Sequence, residues 1–133
     1  MTSIVVDTSA LVAIVKAEPD SIRLSQAMTR AETVVVPATT VLEARIVLMN
    51  HVGEAGRKAL DALLEDIGAT VVPLGHREME RATEGHARFG RGRHPAALNF
   101  GDCLVYGTAR ALGLPLLFVG NDFAQTDLAV ARY

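Results

Sequence analysis

Cysteine, lysine and aromatic residues are scarce in this 133-residue chain, and tryptophan is missing altogether. A single cysteine, Cys103, excludes an internal disulfide and any metal site built from several cysteines. With four Phe, two Tyr and no Trp, a base-stacking platform of the kind used by many single-strand binders is not expected. His76, His86 and His94 are too widely spread to form a recognisable zinc set. Long hydrophobic runs are absent too: none approaches the roughly 18 apolar residues needed to cross a bilayer. The apolar start, Ile4-Val5-Val6, has no basic run before it and meets an acid at Asp7, which is unlike a secretory leader. No membrane association is expected, and the expected location is the cytoplasm. A net charge of −2 does not mark a nucleic-acid binder. Acid is also missing locally, from His86 to Gly101, where Arg88, Arg91, Arg93, His86 and His94 fall. That stretch reads either as a solvated basic loop or as a phosphate-contacting strip.

Half of the residues are hydrophobic, enough for one core, and residues 1–133 read as one domain without linker or repeat. Short β-branched or apolar runs lie at residues 3–6, 33–36, 70–72 and 116–119, with 128–131 as a possible fifth. Uninterrupted apolar runs of this length suit strands buried on both faces of a parallel sheet. Helical patterns fill the gaps. Ser9 is placed to cap the first and Asp20 the second. Thr40 stands three residues before Glu43, the spacing of a capping box, at the start of the third. Further patterns run over 53–66, 77–89 and 101–112, the last stopped by Gly113 and Pro115. Alternating strands and helices predict an α/β, three-layer α/β/α fold. Its central parallel sheet would have four to five strands with helices on both faces.

In such a sheet, ligands bind beyond the carboxyl ends of the strands. Asp7 follows the first predicted strand directly, and Asp122 follows the fourth by three positions. Glu43 lies in the first turn of the helix after the second strand, and Asp102 opens the helix that leads into the fourth. Four acids from four distant segments are therefore expected at one edge. Each has an ordinary explanation as well. Asp7 could be a helix cap, Glu43 a capping-box partner, Asp102 a dipole-favoured first-turn acid and Asp122 a turn residue. Together they would repel one another unless a cation stood between them. Hard oxygen ligands suit Mg²⁺ or Mn²⁺, and carboxylate-held ions of that kind most often serve phosphate chemistry.

The motifs around these acids resemble those of the PIN-domain family. Val5-Val6-Asp7-Thr8-Ser9-Ala10-Leu11 is similar to its first motif and Thr39-Thr40-Val41-Leu42-Glu43 to its second. Leu98-Asn99-Phe100-Gly101-Asp102-Cys103 is similar to the third as it occurs in VapC-type toxins, and Leu117-Phe118-Val119-Gly120-Asn121-Asp122-Phe123 to the fourth. The resemblance spans nearly the whole chain. It implies a PIN-like fold, metal-binding and catalytic roles for Asp7, Glu43, Asp102 and Asp122, and Mg²⁺- or Mn²⁺-dependent cleavage of RNA. It also implies neutralisation by a VapB-type antitoxin and a homodimer. The chain departs from many relatives at Gly120, where they carry Ser or Thr two residues before the fourth acid. Asp127 is a second candidate for that fourth position.

On this reading Asp7 and Asp102 would ligate metal, with Glu43 completing the site and Asp122 holding a second ion or orienting water. Thr8 or Ser9 would place a hydroxyl near the scissile phosphate, helix capping being the alternative. Arg91 and Arg93, between glycines, would contact the RNA backbone, giving salt-dependent affinity with little sequence choice. Arg45 would serve structure or face the antitoxin. Cys103 at a helix start reads as a buried small residue rather than a thiolate. The apolar faces around Leu11–Val15 and Leu42–Met49 are the expected antitoxin surfaces. Two other readings remain: a non-catalytic PIN scaffold that binds RNA or protein, and a haloacid-dehalogenase-like phosphohydrolase. The latter normally wants a second acid where this chain has Ser9. A receiver domain is excluded because only Lys16 and Lys58 are present, with no late lysine.

Overall fold

The computed structural model describes residues 2–133. In chain order the elements are β1 (Ile4–Val6), α1 (Thr8–Val15), α2 (Ser21–Arg30), β2 (Val34–Pro37), α3 (Ala38–Val52) and α4 (Glu54–Asp66). They continue with β3 (Thr70–Val72), α5 (His76–Phe89), α6 (Phe100–Leu112), β4 (Leu116–Leu117) and a 3₁₀ turn (Phe123–Gln125). The four strands are parallel and ordered β3-β2-β1-β4.

Strand periodicity sorts the core into two layers. Ile4, Val6, Val34, Val36 and Leu117 point to one face and join Leu11, Leu24, Leu48 and Leu60 from α1 to α4. Val5, Val35, Leu116 and Phe118 point to the other and join Phe89, Val105 and Tyr106 from α5 and α6. Both faces are covered, which is why the strands read as unbroken apolar runs. Each fully buried leucine contributes about 1.5–3 kcal/mol relative to an exposed one. The helices α5 and α6 approach closely because glycine allows it. A Cβ at Gly85 would strike the Tyr106 ring, and one at Gly107 would strike the Glu78 carbonyl and Ala82.

The expected fifth strand is only a bridge. Leu116 pairs with Val130 alone, through bonds of 2.9 Å from Leu116 N–H to the Ala129 carbonyl and from Ala131 N–H to the Leu116 carbonyl. β4 is two residues long and offers no longer ladder. Two expected helix starts also move. Asp7, not Ser9, caps α1. α3 begins at Ala38 directly after Pro37, so Thr40 is buried inside the first turn and forms no capping box with Glu43. Pro37 can end the strand and open the helix together, since its fixed φ suits both and it has no N–H to leave unpaired. Among the described residues no helix is long and apolar enough to cross a membrane.

The chain first builds outward from β1 to β2 and β3, then crosses to the far side of β1 for β4. The strand order therefore reverses between β1 and β4. The crevice beyond their carboxyl ends is the topological switch point, where open α/β sheets place ligands.

Candidate functional site

Asp7 sits at that switch point, only 7% exposed. Its N–H donates to the Leu117 carbonyl at 2.9 Å, which fixes it between the two strands. One carboxylate oxygen accepts from the Ser9 N–H at 3.1 Å and from the Ser9 hydroxyl at 2.7 Å. The same hydroxyl oxygen accepts from the Val119 N–H at 2.9 Å. Ser9 thus ties the acid after β1 to the chain leaving β4.

Glu43 arrives from α3. The Thr8 hydroxyl donates to its Oε1. Its other oxygen lies against Gly101, which leaves room for the carboxylate beside the start of α6. Asp102 is the third residue of α6. Its N–H donates to Asn99 Oδ1 at 2.8 Å, and its Oδ2 accepts from the Asn99 N–H at 3.0 Å, a complete capping box. Asp122 lies on the exposed turn after β4.

These four acids feel one another. Burial pushes the Asp102 carboxyl up to about 6, against the pull of the Asn99 N–H, and the negative charges of Asp7, Asp122 and Glu43 add to the rise. Burial also raises Asp7, opposed by the Ser9 hydrogen bonds and reinforced by Glu43. Among the described residues none of the four is paired with Lys, Arg or His. Four hard oxygen donors with no protein cation to balance them fit a divalent metal such as Mg²⁺ or Mn²⁺ by donor chemistry. They are not drawn into a cage: among the described residues no three His, Cys, Asp or Glu groups sit together at ligand distance. Thr8 and Asn99 hold Glu43 and Asp102 by hydrogen bonds instead.

The PIN domain family model matches residues 4–128. This chain belongs to the PIN domain family. Its relatives include Ribonuclease VapC36 of Mycobacterium tuberculosis, 43% identical over 125 residues that cover 93% of this chain and 90% of that protein. Ribonuclease VapC of Mycolicibacterium smegmatis is 39% identical over 128 residues, covering 96% and 99% respectively. Among solved structures, VapC20 of M. tuberculosis, a Sarcin-Ricin loop cleaving toxin, superposes with a TM-score of 0.79 at 19% identity over 98% of this chain and 99% of that one. VapBC2 from Rickettsia felis, bound to a DNA fragment from their promoter, gives a TM-score of 0.76 at 15% identity over 97% and 96%. The three-layer fold expected from the sequence is the one these structures share, and the haloacid-dehalogenase alternative falls away.

Other residues singled out in the sequence land in varied places on this PIN domain. Asp127 does not join the four acids. It accepts from the Tyr106 hydroxyl at 2.8 Å and from Arg88 at 2.9 Å, with Arg110 at 3.9 Å. The hydroxyls of Thr8 and Ser9 donate to Glu43 and Asp7, holding two of the acids. Arg91 and Arg93 are exposed on the loop between α5 and α6, and among the described residues neither has a carboxylate partner. Arg45 is structural, its Nε and Nη2 both 3.0 Å from Asp61 of α4. The Cys103 thiol is buried and raised, first by burial and then by the Asp102 charge, so it is not a thiolate. Leu11 and Ala13 are core residues, whereas Leu42, Ile46 and Met49 are exposed along one side of α3.

Sequence reasoning missed two residues. Asn99 supplies the cap that sets Asp102, and the Asn-x-x-Asp spacing was available to find it. Phe100 is 81% exposed despite the shortage of aromatics in the chain. Composition counts rings without saying where they stand.

Proposed function

We propose that this single PIN domain, residues 1–133, is a Mg²⁺- or Mn²⁺-dependent endoribonuclease, the toxin of a toxin–antitoxin pair, neutralised by a VapB-type antitoxin. The observation that carries the reading is the set of four unpaired acids, from four separate segments, gathered at the switch point of a chain whose relatives are named VapC ribonucleases.

Asp7, Glu43, Asp102 and Asp122 would hold the ion. When bound, it would supply charge neutralisation on the phosphate and activation of water. The chain's own contribution is order. Ser9 keeps Asp7 at the junction of β1 and β4, Thr8 aims Glu43, and the Asn99 box fixes Asp102 at the start of α6. Asp122, on the exposed turn after β4, completes the set. A water oxygen would bond to phosphorus as the bond to the 3′-oxygen breaks. A proton lost by the water would end, through solvent, on the departing 3′-oxygen, leaving a 3′-hydroxyl and a 5′-phosphate. A hydrolytic route of this kind does not use the RNA 2′-hydroxyl, so the preference for RNA falls to the groove. Arg91 and Arg93 contact the backbone there. The antitoxin covers the exposed apolar side of α3, at Leu42, Ile46, Met49 and Val52. The protein acts in the cytoplasm, as a homodimer.

Cleavage of labelled total RNA by antitoxin-free protein tests this, with Mg²⁺, with Mn²⁺ and with EDTA, beside Asp7→Asn. Discrete fragments that need metal and disappear in the variant support the enzyme. Intact RNA in every lane, from folded protein that binds the ion, would favour the non-catalytic scaffold.

A further inference from the structure

We infer that Phe100 is a stacking platform for an unpaired RNA base, and that the two cavities it lines hold bases flanking the phosphate to be cut. This rests on the ribonuclease reading above. Phe100 is the first residue of α6, two before Asp102, and its ring is 81% exposed. It belongs to neither core layer. The ring stands beside the acid cluster without packing into the fold, and every base offers it a π-face.

The surroundings have room for a base. Phe100 walls two cavities. One, of about 580 Å³, lies between α5 and α6 and is apolar except for Thr83, His86, Arg91 and Asn99. The other, of about 390 Å³, lies between α3 and α6 and includes Thr39 and Glu43. Apolar walls with a few polar groups, at these sizes, are the form of sites for flat organic ligands.

Leu42 and Ile46, which the antitoxin covers, also wall the smaller cavity, so bases occupy it only in the antitoxin-free protein, where its place beside the acids fits the substrate. Glu43 lines the smaller cavity and Asn99 the larger, and both also build the acid site. A phosphate placed at Asp7 and Asp102 therefore puts its neighbouring bases at Phe100. Arg91 would then take the next phosphate, in a stretch from His86 to Gly101 that contains no acid. Sequence choice, which the arginines cannot provide, would come from this pair of cavities.

The test uses the full chain and short single-stranded oligoribonucleotides carrying a fluorescent adenine analogue whose emission is quenched by stacking. Binding is measured on the Asp7→Asn protein, so that the probe survives, with and without Phe100→Leu. Leucine keeps the apolar bulk and removes the π-face. Binding should weaken about 5- to 150-fold, the range of a lost base–aromatic stack, and the quench should vanish. In the cleaving protein, Phe100→Leu should raise KM and leave kcat, while Phe100→Trp should restore binding. Gel filtration should give the same mass for every variant. Unchanged binding and KM in Phe100→Leu would overturn the platform and leave the ribonuclease standing. Weakened binding accompanied by a change in mass would also overturn it, placing the ring between two copies of the chain. A parent protein that neither cleaves nor binds RNA would remove the ribonuclease reading and this inference with it.

Discussion

Two carboxylates, Asp102 in the first turn of α6 and Asp127 against Tyr106 and Arg110 farther along it, are driven in opposite directions by their surroundings. Asp102 is partly buried, satisfied only by one backbone N–H, and surrounded by three more acids; its carboxyl rises to about 6. At Asp127 burial also works upward, but the Tyr106 hydrogen bond and the Arg110 and Arg88 charges outweigh it and hold the carboxyl below its usual range. Tyr106 shows the reciprocal effect, pushed up to about 12 by burial and by the Asp127 partner. One acid has its charge balanced by the protein and closes the C-terminal segment onto α5 and α6. The other has its charge left over. An uncompensated cluster costs stability, and its place at the switch point supports the proposal that an external cation balances it.

The largest expected effect separates the two by activity. Asp7→Asn should lower RNA cleavage on the order of 10²-fold or more, as loss of a principal electrostatic group does. Asp127→Asn should leave the rate per folded molecule unchanged. Single-turnover cleavage of one RNA by both variants checks this, and a comparable loss in Asp127→Asn would move it into the site.

Next comes the cation. Mg²⁺ at a hundred-fold excess over its Kd should stabilise the protein by about 2.7 kcal/mol. In thermal melts that gain should largely disappear in Asp102→Asn and persist in Asp127→Asn. An equal gain in all three would place the ion elsewhere.

Asp127→Ala sharpens the structural side. It leaves the buried Tyr106 hydroxyl without its partner and should cost about 1–3 kcal/mol, measured by urea unfolding and independent of Mg²⁺. A cost that grows with added Mg²⁺ would contradict the division drawn between the two acids.

The smallest effect is in pH. The folded-state pKa of Asp102, about 6, lies above its ordinary 3.8, so between those values the folded chain binds more protons than the unfolded one. Its contribution to stability is fully present below about 4 and is lost as pH rises through about 6, with Asp7 acting in the same direction. Without metal, stability should fall by about 1 kcal/mol over that window after discounting for solvent screening. Asp102→Asn should flatten the slope, and urea midpoints at a series of pH values would reveal it.

Much of this was readable along the chain. Apolar runs without alternation marked a sheet covered on both faces, and the position of each acid relative to a strand or helix start placed all four at one edge. Period and punctuation are local properties, so they survive in one dimension. The finer assignments depended on contact. Ser9 looked like a cap or a phosphate ligand, yet its hydroxyl joins Asp7 to Val119, 110 positions away. Thr8 and Glu43 meet across 35 positions, which no spacing rule between Thr40 and Glu43 could foresee. Asp122 ranked ahead of Asp127 only by its nearness to the last strand, and it took Tyr106, Arg88 and Arg110 to claim Asp127 for the fold.

The sequence by itself determined the layer architecture and the chemistry of the edge, because hydrophobic period and residue type need no partner to be read. Only the tertiary structure decided which charges are balanced and which are left for a ligand. Charge balance and exposure, including the bare ring of Phe100, are set by neighbours that folding brings from far along the chain.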